Sequence, residues 1–171
     1  EWKHGFSLDW HLTNLPMHDG LRRLVQHLNW LYRNEPSFYE LDDSNDGYEW
    51  IDFNDADNTV WSFMRKSRNG STIVFIVNAT PVVRGDYRVG VPLPGFYEEV
   101  LNTDAETYGG SNVGNYGGMQ AHQDWSWQGK PHSILVNLPP LSVVAFKHSA
   151  PPAAPIDLID PESASLGKAR R

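Results

Sequence analysis

Cysteine is absent from all 171 residues, which excludes a disulfide framework, a thiol nucleophile and any cysteine-ligated zinc site. A chain of this kind suits a reducing compartment, and the cytoplasm is the expected location. Long apolar runs are missing as well. No stretch approaches the roughly 18 residues that a membrane-spanning helix needs, and the first residues lack the charged, apolar, small-residue order of a secretory signal. Basic residues are few, with 14 Lys and Arg against 21 Asp and Glu and a net charge of -7. Phosphate backbones and anionic membranes are held by a basic face, so neither nucleic acid nor membrane is expected as a partner. The 7 His do not pair at the i, i+4 spacing that ligands on a helix show. No metal and no cofactor is expected.

Aromatic residues are plentiful, at 12% with 7 Trp, which suits either a β-rich core or a surface on which sugars stack. From Pro16 to Asn34 the apolar residues Leu21, Leu24, Val25, Leu28, Leu31 and Tyr32 recur at i, i+3, i+4 and i+7, the spacing of one helical face. Pro16 suits a first helical turn, Asp19 suits the positive N-terminus, and Pro36 ends the helix. Beyond Pro36 the pattern changes to short runs rich in Val, Ile, Tyr, Phe and Trp. Strands are predicted at Tyr48 to Asp52, Val60 to Lys66, Thr72 to Asn78, Gly85 to Val91, Tyr97 to Asn102, Ser133 to Leu138 and Ser142 to Lys147. Asn69-Gly70 between the second and third is a hairpin signal, because the turn needs φ > 0 at residues that tolerate it. Strands in series with no helix between them predict an antiparallel sandwich or barrel. Residues 103–130 read as a loop with a Gly-rich centre.

Several segments imitate functional motifs and fail on one residue each. Gly109 and Gly114 have the spacing of a phosphate loop, but Asn115 stands where its Lys belongs and Tyr116 where its hydroxyl to magnesium belongs. The acidic run Glu40 to Gly47 places oxygens at alternate positions yet lacks the terminal Glu of a calcium loop, and reads as a solvated turn. Asp9, Glu49, Asp52, Asp86, Glu98 and Glu99 are candidate carboxylates, but no spacing places a facing pair for glycoside chemistry. There is no G-x-S-x-G elbow. Trp2, Trp10, Trp50, Trp61, Trp125 and Trp127 are candidate sugar platforms. Trp61 falls inside a predicted strand and reads as core, while Trp2 and Trp10 in the opening loop and Trp50 beside the acidic turn suit a platform better.

The order of segments carries more information than any one motif. Glu1-Trp2 and Ser7-Leu8-Asp9-Trp10-His11-Leu12 are followed by Gly20-Leu21-Arg22-Arg23-Leu24-Val25, then by Glu40-Leu41-Asp42 and Gly47-Tyr48-Glu49-Trp50-Ile51. Asn78-Ala79-Thr80-Pro81-Val82, Asp86-Tyr87-Arg88-Val89-Gly90-Val91-Pro92, Leu101-Asn102-Thr103-Asp104, Tyr108-Gly109-Gly110-Ser111-Asn112 and Leu138-Pro139-Pro140-Leu141 complete the series. Over residues 1–147 the chain resembles the C-terminal quarter of bacterial 1,4-α-glucan (glycogen) branching enzymes, in the α-amylase superfamily.

That resemblance implies a mainly β fold, an antiparallel β-sandwich of about seven or eight strands preceded by one long helix belonging to a truncated (β/α)8 barrel. Residues 1–36 would be the last βα loop and eighth helix of a catalytic barrel and residues 37–148 the C-terminal all-β domain; residues 149–171, Pro/Ala-rich, fall outside the resemblance and read from composition as a disordered tail. The parent would form α-1,6 branches by retaining transfer of an α-1,4-glucan segment. Its catalytic carboxylates would lie on earlier barrel strands, so this chain alone is expected to be inactive. Trp2, Asp9 and Trp10 would border the glucan groove at the barrel rim and Trp50 would carry an outlying glucan contact. The expected partners are α-glucan (glycogen, maltooligosaccharide) and the upstream barrel of the same polypeptide. A stand-alone carbohydrate-binding β-module and a purely structural domain are the competing readings. Under the barrel reading, the helix stripe at Leu21, Leu24, Val25 and Leu28 should be exposed or poorly packed.

Overall fold

The predicted helix forms over the predicted residues, as α1 (Pro16–Asn34). Pro16 occupies its first turn and Asp19 accepts Arg22 and Arg23 side chains, each ion pair at 2.7 Å. Such solvent-facing pairs add little stability. The helix stops at Glu35, and the Lys147 ammonium donates to the Glu35 carboxylate at 2.9 Å, tying the helix end to the sheet below. A computed structural model describes residues 3–149. Trp2 and all of the 149–171 tail except Ser149 lie outside the described residues.

Among the described residues eight strands follow: β1 (Tyr48–Asp55), β2 (Val60–Lys66), β3 (Thr72–Asn78), β4 (Arg84–Val91), β5 (Phe96–Asn102), β6 (Gly118–Gln120), β7 (His132–Leu138) and β8 (Ser142–Ser149). Six make one antiparallel sheet in the order β1-β2-β3-β8-β5-β6, and β4 pairs with β7 as a second, two-stranded sheet. The Asn69-Gly70 hairpin forms between β2 and β3, with Gly70 at φ 84°. β6 was not predicted. Residues 103–130 are also less irregular than the loop reading implied, since a short 3-10 helix spans Glu106–Tyr108 and Asn115 is buried.

Apolar residues fall in two clusters, one on each face of the large sheet. Ile51, Met64, Val74, Ile76, Tyr97, Val144 and Phe146 meet Val89, Val91, Ile134, Val136 and Leu138 of the small sheet. On the opposite face Ile73, Phe75, Leu101 and Ala145 meet Leu31, Leu24 and Leu28 of α1, with Phe38 and Phe63. β3 is therefore covered on both sides, which is why it reads as a nearly continuous apolar run instead of an alternating one. The fold has three layers: small sheet, large sheet, helix. Gly20 lets the helix close on the 3-10 helix at residues 106–108, because a Cβ there would run into the Tyr108 carbonyl.

The stripe at Leu21, Leu24, Val25 and Leu28, expected to be exposed or poorly packed, divides, and Leu31 below it is buried. Leu31 is only 1% exposed and Leu24 and Leu28 are half-buried, whereas Leu21 is 60% and Val25 50% exposed. Advancing about 100° per residue, Leu24 and Leu31 face the sheet, while Leu21, Val25 and Tyr32 point away from it.

Candidate functional site

Trp50 stands on β1, the edge strand of the large sheet, directly opposite Phe63 of β2. Alternation puts Tyr48 and Trp50 on the outer face, the one that also carries α1. A register shift between Trp50 and Asp52 inserts an extra residue, and this bulge resets the alternation so that Phe53 joins them. The Trp50 ring meets Tyr48 edge-on (5.4 Å between centroids, 88°), Phe63 (5.9 Å, 76°) and Phe53 (5.6 Å, 64°). Phe63 in turn stacks on Tyr48 (5.2 Å) and on Phe75 (5.0 Å, 9°). Trp50 is thus the open end of an aromatic stack rooted in the core, and it is still 47% exposed. A fixed, half-open indole with an apolar surround is the geometry on which a pyranose ring can stack its C–H face.

The other face of β1 is electrostatic. Glu49 accepts Lys66 Nζ at 3.0 Å and also pairs with the Lys130 ammonium. The Lys130 hydrogen bond holds the Glu49 carboxyl below its ordinary value, and Lys66 adds to it, together outweighing the opposing effect of burial. A depressed carboxyl gives stability that is present above the unfolded value, near 4.3, and is lost as pH falls through the folded one. Glu49 is 39% exposed at its side chain, so the screened contribution is about 0.5–1 kcal/mol. Urea melts between pH 7 and 3 should show Glu49→Gln destabilised by that amount at pH 7 and matching the parent at pH 3. A constant difference across the range would rule out the ion pair as its source.

Two more of the candidate carboxylates, Asp52 and Glu99, are also hydrogen-bonded, while Asp86 and Glu98 are exposed on their strands. Asp52 accepts the Gln128 side-chain amide at 2.8 Å and the Asn54 backbone N–H at 2.9 Å, and Glu99 accepts the Asn115 side-chain amide at 2.8 Å. Burial raises Asp55, but hydrogen bonds from the Tyr87 hydroxyl and from Asn58 more than offset this and hold its carboxyl below the usual range. These hydrogen bonds brace the fold. Among the described residues no group of three His, Asp or Glu could hold a metal ion.

Asp9 and Trp10 lie elsewhere. Trp10 opens a 3-10 helix (Trp10–Asn14) whose chain runs directly into α1, and its carbonyl accepts the Thr13 hydroxyl at 2.6 Å. Both residues are exposed, as are their neighbours Phe6, Leu8, Leu15 and Met17. Among the described residues no ring contact or side-chain hydrogen bond joins Trp10 to Trp50. The N-terminal end of α1 packs beside the turn that follows β5, while β1 is at the far edge of the sheet. The predicted residues therefore lie in two separate places, an exposed segment at residues 9–10 and an aromatic cluster at Trp50. Sequence reasoning missed Phe53, because the bulge that turns it outward has no local signature. Trp61, read as core, is only half-buried.

Comparison with known proteins adds an independent finding. The family described as the alpha amylase C-terminal all-beta domain matches residues 50–149. The chain is 50% identical over 149 residues to the 1,4-alpha-glucan branching enzyme GlgB of Aquifex aeolicus, covering 86% of this chain and 24% of that protein. It is 49% identical over 144 residues to the protein of the same name from Cereibacter sphaeroides, covering 84% of this chain and 20% of that one. Against the Synechocystis sp. protein of that name it is 46% identical over 150 residues, covering 87% and 19%. The chain spans a quarter or less of the length of these relatives.

Proposed function

Because the chain belongs to the family of the α-amylase C-terminal all-β domain, we propose that it serves as the C-terminal part of a cytoplasmic 1,4-α-glucan branching enzyme. The observation that carries this reading is the level of identity, 50% over 149 residues, with a relative named for that activity. Such an enzyme cleaves an α-1,4 linkage, holds the glucan as a covalent glycosyl-enzyme on a carboxylate, and passes it to the 6-hydroxyl of another chain. The carboxylates for this chemistry belong to an upstream catalytic barrel, and this chain alone is inactive. Residues 1–36 supply the last βα loop and eighth helix of that barrel, and residues 37–148 the β-domain that buttresses it. The exposed Leu21 and Val25 support this division, since a barrel helix must show an apolar face to barrel strands.

Barrel active sites are built at the C-terminal ends of the strands, which puts Trp2, Asp9 and Trp10 at the rim of the glucan groove. Trp50 is a second, outlying contact for glycogen or maltooligosaccharide. The test is a chimera in which residues 1–149 replace the matching segment of the Aquifex aeolicus protein. It should branch amylose within about tenfold of that protein, or about 1.4 kcal/mol in activation free energy. Trp10→Ala should lower kcat, and Trp50→Ala should raise KM at unchanged kcat. A folded, soluble chimera that forms no α-1,6 branches would defeat the proposal.

A further inference from the structure

One aromatic cluster has no part in this reading. Residues 121–131, between β6 and β7, carry Trp125 and Trp127, each 45% exposed. Arg88 of β4 lies over both rings, its guanidinium carbon 4.5 Å from the Trp125 centroid and 5.2 Å from that of Trp127. His122 stacks on Trp125 at 4.7 Å and 20°. The order is His122, Trp125, Arg88, Trp127, with Trp127 at the end and no other ring packed on it among the described residues.

The loop that presents this row is held from below. The Gln128 side chain accepts the Gly90 backbone N–H at 3.0 Å and donates to Asp52 at 2.8 Å. Lys130 pairs with Glu49, and the Ser133 hydroxyl donates to the Trp125 carbonyl at 2.9 Å. Gly90 has no room for a Cβ, which would collide with the Trp127 carbonyl, so the strand is shaped to receive the loop. The turn itself places Gln128 at φ 50° and Gly129 at φ 72°. Two indoles are therefore fixed in place while nearly half of each stays in water, and their ordering entropy is already spent in folding.

Arg88 supplies the second observation. Its cation is stacked against two rings, yet none of its N–H donors bonds an acceptor among the described residues, although a guanidinium carries five. Beside it, Ser126 to Pro131 line an open depression of about 600 Å³. Fixed aromatic faces flanked by free, planar donors suit a neutral ring with an apolar face and a rim of hydroxyls. One cation between two exposed indole faces favours such a ring over a compact anion, since the nearby Lys130 is committed to Glu49 and the chain carries a net charge of -7.

We infer that Trp127, with Trp125 and Arg88, forms a surface site for an α-linked glucose chain. One pyranose stacks on Trp127, and the Arg88 guanidinium donates to the hydroxyls of its neighbour. The choice of sugar rests on the glucan reading above. This site is distinct from Trp50, because Glu49 and Asp52 brace the loop on one face of β1 while Trp50 points to the other.

The test is titration of the 171-residue chain, isotopically labelled at tryptophan, with maltoheptaose into the millimolar range. The seven indole N–H signals are assigned through single Trp→Phe variants. The Trp127 signal should move and saturate, Trp127→Ala should weaken the shift at Trp125 by about tenfold or more, and Trp50→Ala should leave both unchanged. Arg88→Lys, which keeps the charge and loses the fork, should weaken binding with the spectrum otherwise intact. A Trp50 signal that moves while Trp127 stays still would overturn this site and leave the glucan reading standing. No movement of any indole would overturn this site too, with the chimera deciding the glucan reading independently. Equal shifts with cellohexaose would overturn the assignment to α-linked chains.

Discussion

Leu31→Ala should cost about 2–5 kcal/mol, the range for truncating a fully buried leucine where the cavity cannot collapse, and the loss should be concentrated in α1. Leu31 is 1% exposed and packs with Ile73, Phe75, Leu101 and Ala145 on the outer face of the large sheet. An isolated helix of 19 residues is marginal in water because nucleation is costly, and most of its stability comes from the face it buries. This helix also carries a glycine at position 20, worth roughly 1 kcal/mol against it. With the Leu31 anchor gone, Leu24 and Leu28 are only half-buried and the Glu35–Lys147 link is partly exposed, so little holds the helix down. Hydrogen exchange in the variant should show the amides of residues 20–34 losing protection by 100-fold or more, about 2.7 kcal/mol, while those of β3 and β8 keep theirs. Equal loss in helix and sheet would mean that the layers unfold as one unit and that the helix is not separable from the β-domain.

The sequence shows the local elements well and their pairing less well, for identifiable reasons. β2 and β3 fall where predicted because Asn69-Gly70 fixes both of their inner ends. β1 extends three residues past its predicted end because its bulges break the alternation on which the prediction rests. β6 has only three residues, beginning with Gly118 at φ 146°, too short and too glycine-dependent to show a period. The heptad-like spacing of α1 reveals one apolar stripe but not that two partners share it, since Leu31 and Leu21 carry the same signal. Trp50 was legible as a tryptophan next to a turn, whereas the Arg88–Trp125–Trp127 row joins residues nearly forty positions apart and has no local pattern.

The division of the stripe leads to the second large effect. Leu21→Gln with Val25→Gln should leave the chain itself within about 0.5 kcal/mol of the parent, since both sites face water and Gln is a good helix former. The same pair placed in the branching-enzyme chimera should be severe. If the outer face of α1 packs on barrel strands, each substitution strips an aliphatic side chain from an interface and buries an amide without a partner. That costs about 1–3 kcal/mol per amide, on top of about 1.5–3 kcal/mol per lost apolar side chain. The sum approaches the whole stability of a typical domain, so branching activity should fall by at least two orders of magnitude and the thermal midpoint by several degrees. The contrast between the two settings is the informative measurement, because a helix that is merely weak would suffer equally in both. It also tests whether two neighbouring rows on one helix have separate roles: Leu24 and Leu31 join α1 to the β-domain, and loss in the chimera alone would assign Leu21 and Val25 to the barrel. A chimera that keeps its midpoint and its activity with both glutamines would show that this face stays in solvent in the whole enzyme, and α1 would then belong to the β-domain alone.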